Sequence, residues 1–110
     1  MAYNEKLAER IRAEVEGLSV LEKKMFGGVG YMLNGNMACG ILGDDMIVRT
    51  GMNDYEELLN CKHTKIFAMN GSSKPMKGWL MVEPDGWKST KQLNGWVKIG
   101  IEFASTLPPK

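Results

Sequence analysis

Lys24-Met25-Phe26-Gly27-Gly28-Val29-Gly30-Tyr31-Met32-Leu33, then Asn34-Gly35, then Asn36-Met37-Ala38-Cys39-Gly40-Ile41-Leu42, then Gly43-Asp44-Asp45 and Met46-Ile47-Val48-Arg49-Thr50: this run decides the fold. Asn-Gly between two apolar runs is a strong hairpin signal, because a type I′ turn needs positive φ at both central residues. Gly43-Asp44-Asp45 supplies a second turn before the β-branched pair Ile47-Val48. The spacing predicts three antiparallel strands in a row. Pairing across Asn34-Gly35 sets Leu33 against Asn36, Met32 against Met37, Tyr31 against Ala38, Gly30 against Cys39 and Gly28 against Ile41. One face then carries Phe26, Met32, Met37, Cys39 and Ile41. The other carries Met25, Val29, Tyr31, Leu33, Ala38 and Leu42. Both are mostly apolar, and only one is needed as the core under helices. The second is either covered by another element or is an interaction surface. Gly27, Gly28 and Gly30 on one strand allow strong twist, a bulge or close backbone approach.

Working outward, residues 4–17 form an amphipathic helix with Asn4 as N-cap and Glu5 in the first turn. Leu7, Ile11, Val15 and Leu18 make one narrow stripe, with Glu9, Arg12 and Glu16 opposite, and Gly17 stops the helix. Beyond the strands, residues 53–59 form a short capped helix and 61–65 a connector. Residues 66–69 form a fourth strand, 70–75 a loop, and 78–83 a fifth strand ended by a turn at Pro84-Asp85-Gly86. The last helix spans 89–107, capped by Ser89 or Thr90. Its apolar arc includes Leu93, Trp96, Val97, Ile101 and Phe103, with Gly100 where a helix approaches a sheet closely. Pro108 and Pro109 end it. The order αβββαββα describes a two-layer α+β domain of 110 residues.

Bulk composition excludes several classes. No apolar run approaches the ~20 residues that span a bilayer. Charged residues begin at Glu5, so no signal peptide is expected, and we place the chain in the cytosol. Cys39 and Cys61 have no metal-type spacing and are expected as reduced thiols. The net charge is +1, too even for a general polyanion binder. Residues 61–110, however, carry eight lysines against three acids, a basic bias that a solvated helix face also produces.

Catalytic chemistry finds little footing. His63 is the sole histidine, so a metal site or a histidine triad has no second member. Cys61 and His63 are close in sequence, but no third group is placed to orient them. Asp44-Asp45 fits a turn better than a cation site. Gly27-Gly28-Val29-Gly30 lacks the Gly-Lys-Ser/Thr ending of a phosphate loop, and a strand follows it. Trp79, Trp87 and Trp96 interleave with lysines, as base-stacking platforms do, although core packing gives the same pattern. The nine methionines suit core filling or an adaptable binding surface. Lys24, Arg49 and Lys77 are cations at strand ends; if those ends converge, they form an anion or partner contact.

Several stretches taken together carry a resemblance: Lys23-Lys24-Met25-Phe26-Gly27-Gly28, Leu33-Asn34-Gly35-Asn36-Met37, Arg49, Pro75-Met76-Lys77-Gly78-Trp79 and Leu107-Pro108-Pro109-Lys110. In this order and spacing they resemble the N-terminal domain of the TfoX/Sxy family, regulators of competence gene expression in bacteria. The resemblance covers nearly the whole chain. It implies a curved antiparallel sheet similar to the secretion-chaperone-like fold, and a non-enzymatic role without a cofactor or a bound metal. It also implies action in transcriptional control through a protein partner, a regulator or its complex with DNA. A homodimer through the second sheet face or an edge strand is one form of that contact. The full regulators carry a second, helical domain, so these residues are expected to stand alone. The family's motif positions fall on Lys24, Phe26, Gly27, Gly28, Gly35, Asn36, Arg49, Met76 and Gly78. Of these and their neighbours, Lys24, Arg49 and Lys77 are expected to touch a partner; Phe26, Gly27, Gly28, Gly35, Asn36, Met76 and Gly78 are structural. Two other readings stay open: direct nucleic-acid binding by lysines between residues 62 and 98, and an enzyme built on Cys61 and His63.

Overall fold

The computed structural model describes residues 3–25, 27–67 and 77–109. Phe26, Met76, the expected loop at 70–75 and the end of the expected fourth strand lie outside these residues. In chain order the elements are α1 (Glu5–Glu14), β1 (Val20–Met25), β2 (Gly28–Leu33), β3 (Asn36–Leu42), β4 (Asp45–Arg49) and α2 (Met52–Leu59). They continue with β5 (Thr64–Ile66), β6 (Trp79–Val82), α3 (Pro84–Trp87) and α4 (Thr90–Ser105). The six strands form one antiparallel sheet in the order β1-β2-β3-β4-β6-β5. The class is the expected α+β. After β4 the chain crosses through α2 to lay β5 on the far edge, then returns β6 into the gap.

The structure adds two elements to the expected order. The stretch read as one strand from Lys24 to Leu33 is two strands, folded back so that Met25 pairs with Gly28. Gly27 sits at φ +79°, the left-handed conformation a tight reversal needs. The three glycines suggested twist within a strand; one of them instead makes the turn, and charged Glu22, Lys23 and Lys24 concealed the strand before it. Pro84-Asp85-Gly86, expected as a turn, begins the one-turn helix α3. The fourth strand also lies earlier than expected, at Thr64–Ile66, and α2 starts at Met52, capped by Gly51 without a side-chain bond.

The Asn34-Gly35 turn has positive φ at both residues, +53° and +85°, as a type I′ turn requires. The register beyond it departs from the expected one. Leu33 faces Asn36 and Met32 faces Met37, but Tyr31 faces Cys39, Gly30 faces Gly40 and Val29 faces Ile41. Ala38 is an extra residue in β3, a β-bulge. Because side chains alternate with a period of two, the bulge moves Cys39 and Ile41 onto the face of Val29 and Tyr31. That face, with Met46, Val48, Leu80 and Val82, is the core packed under the helices through Leu7, Ile11, Leu93 and Val97. The other face centres on Ile47, Phe67 and Met81, flanked by Met37, Leu42 and Trp79. There Met25 and Met37 fill the furrow over Gly30, where a Cβ would lie 3.2 Å from the Met25 sulfur.

The helices follow the sequence closely. Asn4 caps α1 by accepting from the Leu7 amide at 2.9 Å. The helix ends at Glu14, so Leu18 leaves the apolar stripe and is half exposed. Ser89 and Gln92 form a reciprocal capping box on α4. The Trp87 indole donates to the Asp44 carbonyl and the Trp96 indole to the Gly86 carbonyl, both at 3.0 Å, so two of the three tryptophans tie elements together. In α4, Gly100 sits so close to β3 that a Cβ there meets the Ala38 carbonyl oxygen.

That seat yields a paired prediction. Gly100→Ala forces a methyl against backbone that cannot rotate away, and the overpacking outweighs the ~1 kcal/mol gain in helix propensity. Gly95→Ala, on the same helix with open space around it, keeps that gain. Urea unfolding should show Gly100→Ala less stable by about 1–2 kcal/mol and Gly95→Ala more stable by about 0.5–1 kcal/mol.

Candidate functional site

The strand ends that carry Lys24, Arg49 and Lys77 do not all converge. Lys24 pairs with Val29 at the end of the sheet that holds Gly27 and Gly43. Arg49 pairs with Trp79 at the opposite end, with two strands between β1 and β4. Lys77 belongs to the segment that leads into β6, at the same end of the sheet as Arg49. The Gly78 carbonyl that follows it accepts from the Thr50 amide at 2.7 Å and the Gly51 amide at 3.1 Å. The buried Thr50 hydroxyl donates to the same carbonyl at 3.1 Å. The expected site therefore divides into an Arg49–Lys77 corner and a Lys24 edge.

At the corner, the guanidinium carbon of Arg49 is 4.8 Å from the Trp79 ring centroid and 5.4 Å from that of Phe103. Both distances suit cation–π contact. Gly51, at φ +78°, has no room for a Cβ because the Phe103 ring occupies the space. Burial lowers the pKa of the Arg49 guanidinium from its ordinary value, and it remains a cation. Sequence reasoning missed Gly51 and Phe103 as parts of this corner. Phe103 sits on the apolar arc of α4, and nothing local signals that its ring reaches the loop after β4.

At the edge, β1 has a neighbour on one side only. Leu21 is 74% exposed and Leu18 is 50% exposed. With Val20, Met32 and Asn34 they line a shallow depression of about 440 Å³. On the helix-covered side of the same strand, Arg12 donates to both Glu22 carboxylate oxygens at 2.9 and 3.2 Å. The Tyr31 hydroxyl donates to Glu22 at 2.7 Å. Partial burial alone would raise the Glu22 carboxyl, but the bonds from Tyr31 and Arg12 outweigh it and hold it below the usual carboxylate range. Burial, reinforced by Glu22, pushes the Tyr31 phenol well above its ordinary value.

Cys61 and His63 are both exposed, and His63 has φ +67°. Cys39 is fully buried on the core face, and burial pushes its thiol up to about 12. Among the described residues, no group of three or more His, Cys, Asp or Glu is arranged to hold a metal ion. No helix there is long and apolar enough to cross a membrane.

The family model of the TfoX N-terminal domain matches residues 16–104, from just after α1 to the last turn of α4. The chain belongs to the TfoX N-terminal domain family. No curated protein and no solved structure matches it. In this TfoX N-terminal domain the matched span includes the whole sheet, the β1 edge and the Arg49 corner. The motif positions Gly27, Gly35 and Gly78 all carry positive φ, and the Asn36 side chain donates to the Pro108 carbonyl at 2.9 Å. Gly28 is buried where β2 begins.

Two predictions follow from these geometries. A disulfide thiol reagent should titrate Cys61 promptly in the native protein and Cys39 only after unfolding in urea; Cys61→Ser should remove the prompt phase. Because the folded Glu22 pKa is depressed, its contribution to stability is present above the unfolded value near ~4.3 and is lost as pH falls through the folded value. The pair is partly exposed, 46% for Arg12 and 31% for Glu22, so Glu22→Gln should cost about 1 kcal/mol or less at pH 7. That cost should shrink toward zero in denaturant melts near pH ~3.

Proposed function

We propose that this domain is a non-enzymatic interaction module of the bacterial cytosol, acting in transcriptional control through contact with another protein, a regulator or its complex with DNA. The observation that carries this reading is the β1 edge. An edge strand leaves one side of its backbone unpaired, which an extended segment of a partner can complete. Here the six-residue edge carries exposed Leu21 next to the depression, followed by Lys23 and Lys24. The leucine offers apolar area. The lysines discourage indiscriminate strand pairing and favour a partner with acidic side chains. Family membership supports the regulatory setting. Direct nucleic-acid binding by the C-terminal lysines has less support, since Lys65 is tied to Asp45 at 3.1 Å and to Glu83 at 3.7 Å.

The test is photo-crosslinking in the native cell, with a benzophenone amino acid in place of Leu21 and, as control, in place of Glu9, which is exposed on α1. Position 21 should give a discrete adduct that position 9 does not. An adduct of twice the 12.3 kDa chain mass identifies a homodimer. No adduct at 21, or the same adducts at both positions, overturns the proposal.

A further inference from the structure

Arg49 lies against two aromatic rings, whereas Arg10 lies against one, that of Trp87, at 5.8 Å. The ion pairs among the described residues engage Arg12 and Lys65. Among those residues, Arg49 has neither a carboxylate within ion-pair distance nor a side-chain hydrogen bond. Even so, among the described residues no buried side-chain nitrogen or oxygen lacks a partner, so the guanidinium nitrogens still reach the surface. The group is thus half-buried, held by aromatic rings and open along its donors.

Holding the group in place matters energetically. A free arginine side chain loses rotamer entropy when it grips a ligand. Here Trp79 and Phe103 restrict Arg49 beforehand, and Gly51 exists in a form that admits the Phe103 ring. Less ordering is then left to be done on binding. Exposed Lys77, two residues before Trp79, adds a second positive charge at the same end of the sheet.

We propose that Arg49, clamped between Trp79 and Phe103 and assisted by Lys77, is a receptor for a carboxylate group. A planar guanidinium fork matches a planar carboxylate through two parallel hydrogen bonds. A tetrahedral phosphate is matched less well by one planar fork, and the Thr50 and Gly51 amides are already committed to the Gly78 carbonyl. The carboxylate comes either from an acidic protein segment or from a free small acid. The site is on β4 and β6, with two strands between it and β1, so it stands or falls independently of the β1 edge.

The experiment is an NMR titration of the ¹⁵N-labelled protein, following the Trp79 indole and Arg49 Nε resonances. The probes are succinate, a blocked tetraglutamate peptide, sodium phosphate and, at matched ionic strength, sodium chloride. Succinate and the peptide should produce saturable shifts, phosphate weaker ones, and chloride none. Tighter binding of the peptide than of succinate assigns the carboxylate to a protein partner; equal binding assigns it to a free acid. Arg49→Lys should weaken carboxylate binding roughly tenfold, and Lys77→Gln roughly threefold. Lys6→Gln, on α1, should leave it unchanged. Spectra with native dispersion confirm that each variant folds, and Lys77→Gln tests the site if Arg49→Lys does not. Absence of saturable shifts, full binding in both variants, or phosphate binding tighter than either carboxylate overturns the proposal.

Discussion

The seat of α4 on the bulge at Ala38 is the constraint on which the rest of the structure depends. One extra residue in β3 shifts every later side chain of that strand to the opposite face. Cys39 and Ile41 thereby join the core, and the Ala38 carbonyl becomes the surface against which Gly100 rests. The missing Cβ at Gly100 lets α4 approach the sheet backbone at that point. The depth and position of α4 in turn carry Phe103 to Gly51, and Phe103 helps to hold Arg49. A backbone irregularity in the middle of the sheet thus sets the geometry of a charged group at its end.

Arg12 and Arg49 illustrate how differently one fold can treat the same charge. Arg12 is neutralised by Glu22, which also accepts from the buried Tyr31 hydroxyl, and the cluster fastens α1 to β1. Its interactions are spent inside the domain. Arg49 is oriented by rings that offer no hydrogen-bond acceptor in the plane of its donors. Its capacity remains available to a ligand, which is the physical basis of the proposed receptor role. The proposed β1 contact depends on other forces, namely unpaired backbone and exposed leucine. The β1 edge and the Arg49 corner therefore suit two different partner groups.

Much of the fold was legible from short-range rules. Asn4, the Asn34-Gly35 turn, Ser89 and the Gly100 approach each follow from one residue type in one local setting, and each is found as expected. The failures share a different origin. Gly27 was assigned to a strand because a glycine's φ cannot be read without knowing its pairing partners. The bulge at Ala38 was invisible because alanine fits a straight ladder equally well. The bulge is selected by the fit of α4, a contact from about sixty residues away in sequence. The site was legible in part for the same reason. Arg49 and Lys77 read as strand-end cations and lie at the same end of the sheet, whereas placing Lys24 needs the strand order. Phe103 and Gly51 belong to the site only through packing between distant segments.

The most direct test of this arrangement is the pattern of cross-strand nuclear Overhauser effects between β2 and β3 in solution. A bulge at Ala38 places Tyr31 opposite Cys39 and Gly30 opposite Gly40, with Gly100 in contact with the Ala38 peptide. Cross-peaks joining those pairs are the predicted result. Cross-peaks joining Tyr31 to Ala38 and Gly30 to Cys39 would mean a straight ladder, which would place Cys39 on the opposite face and contradict the seating of α4.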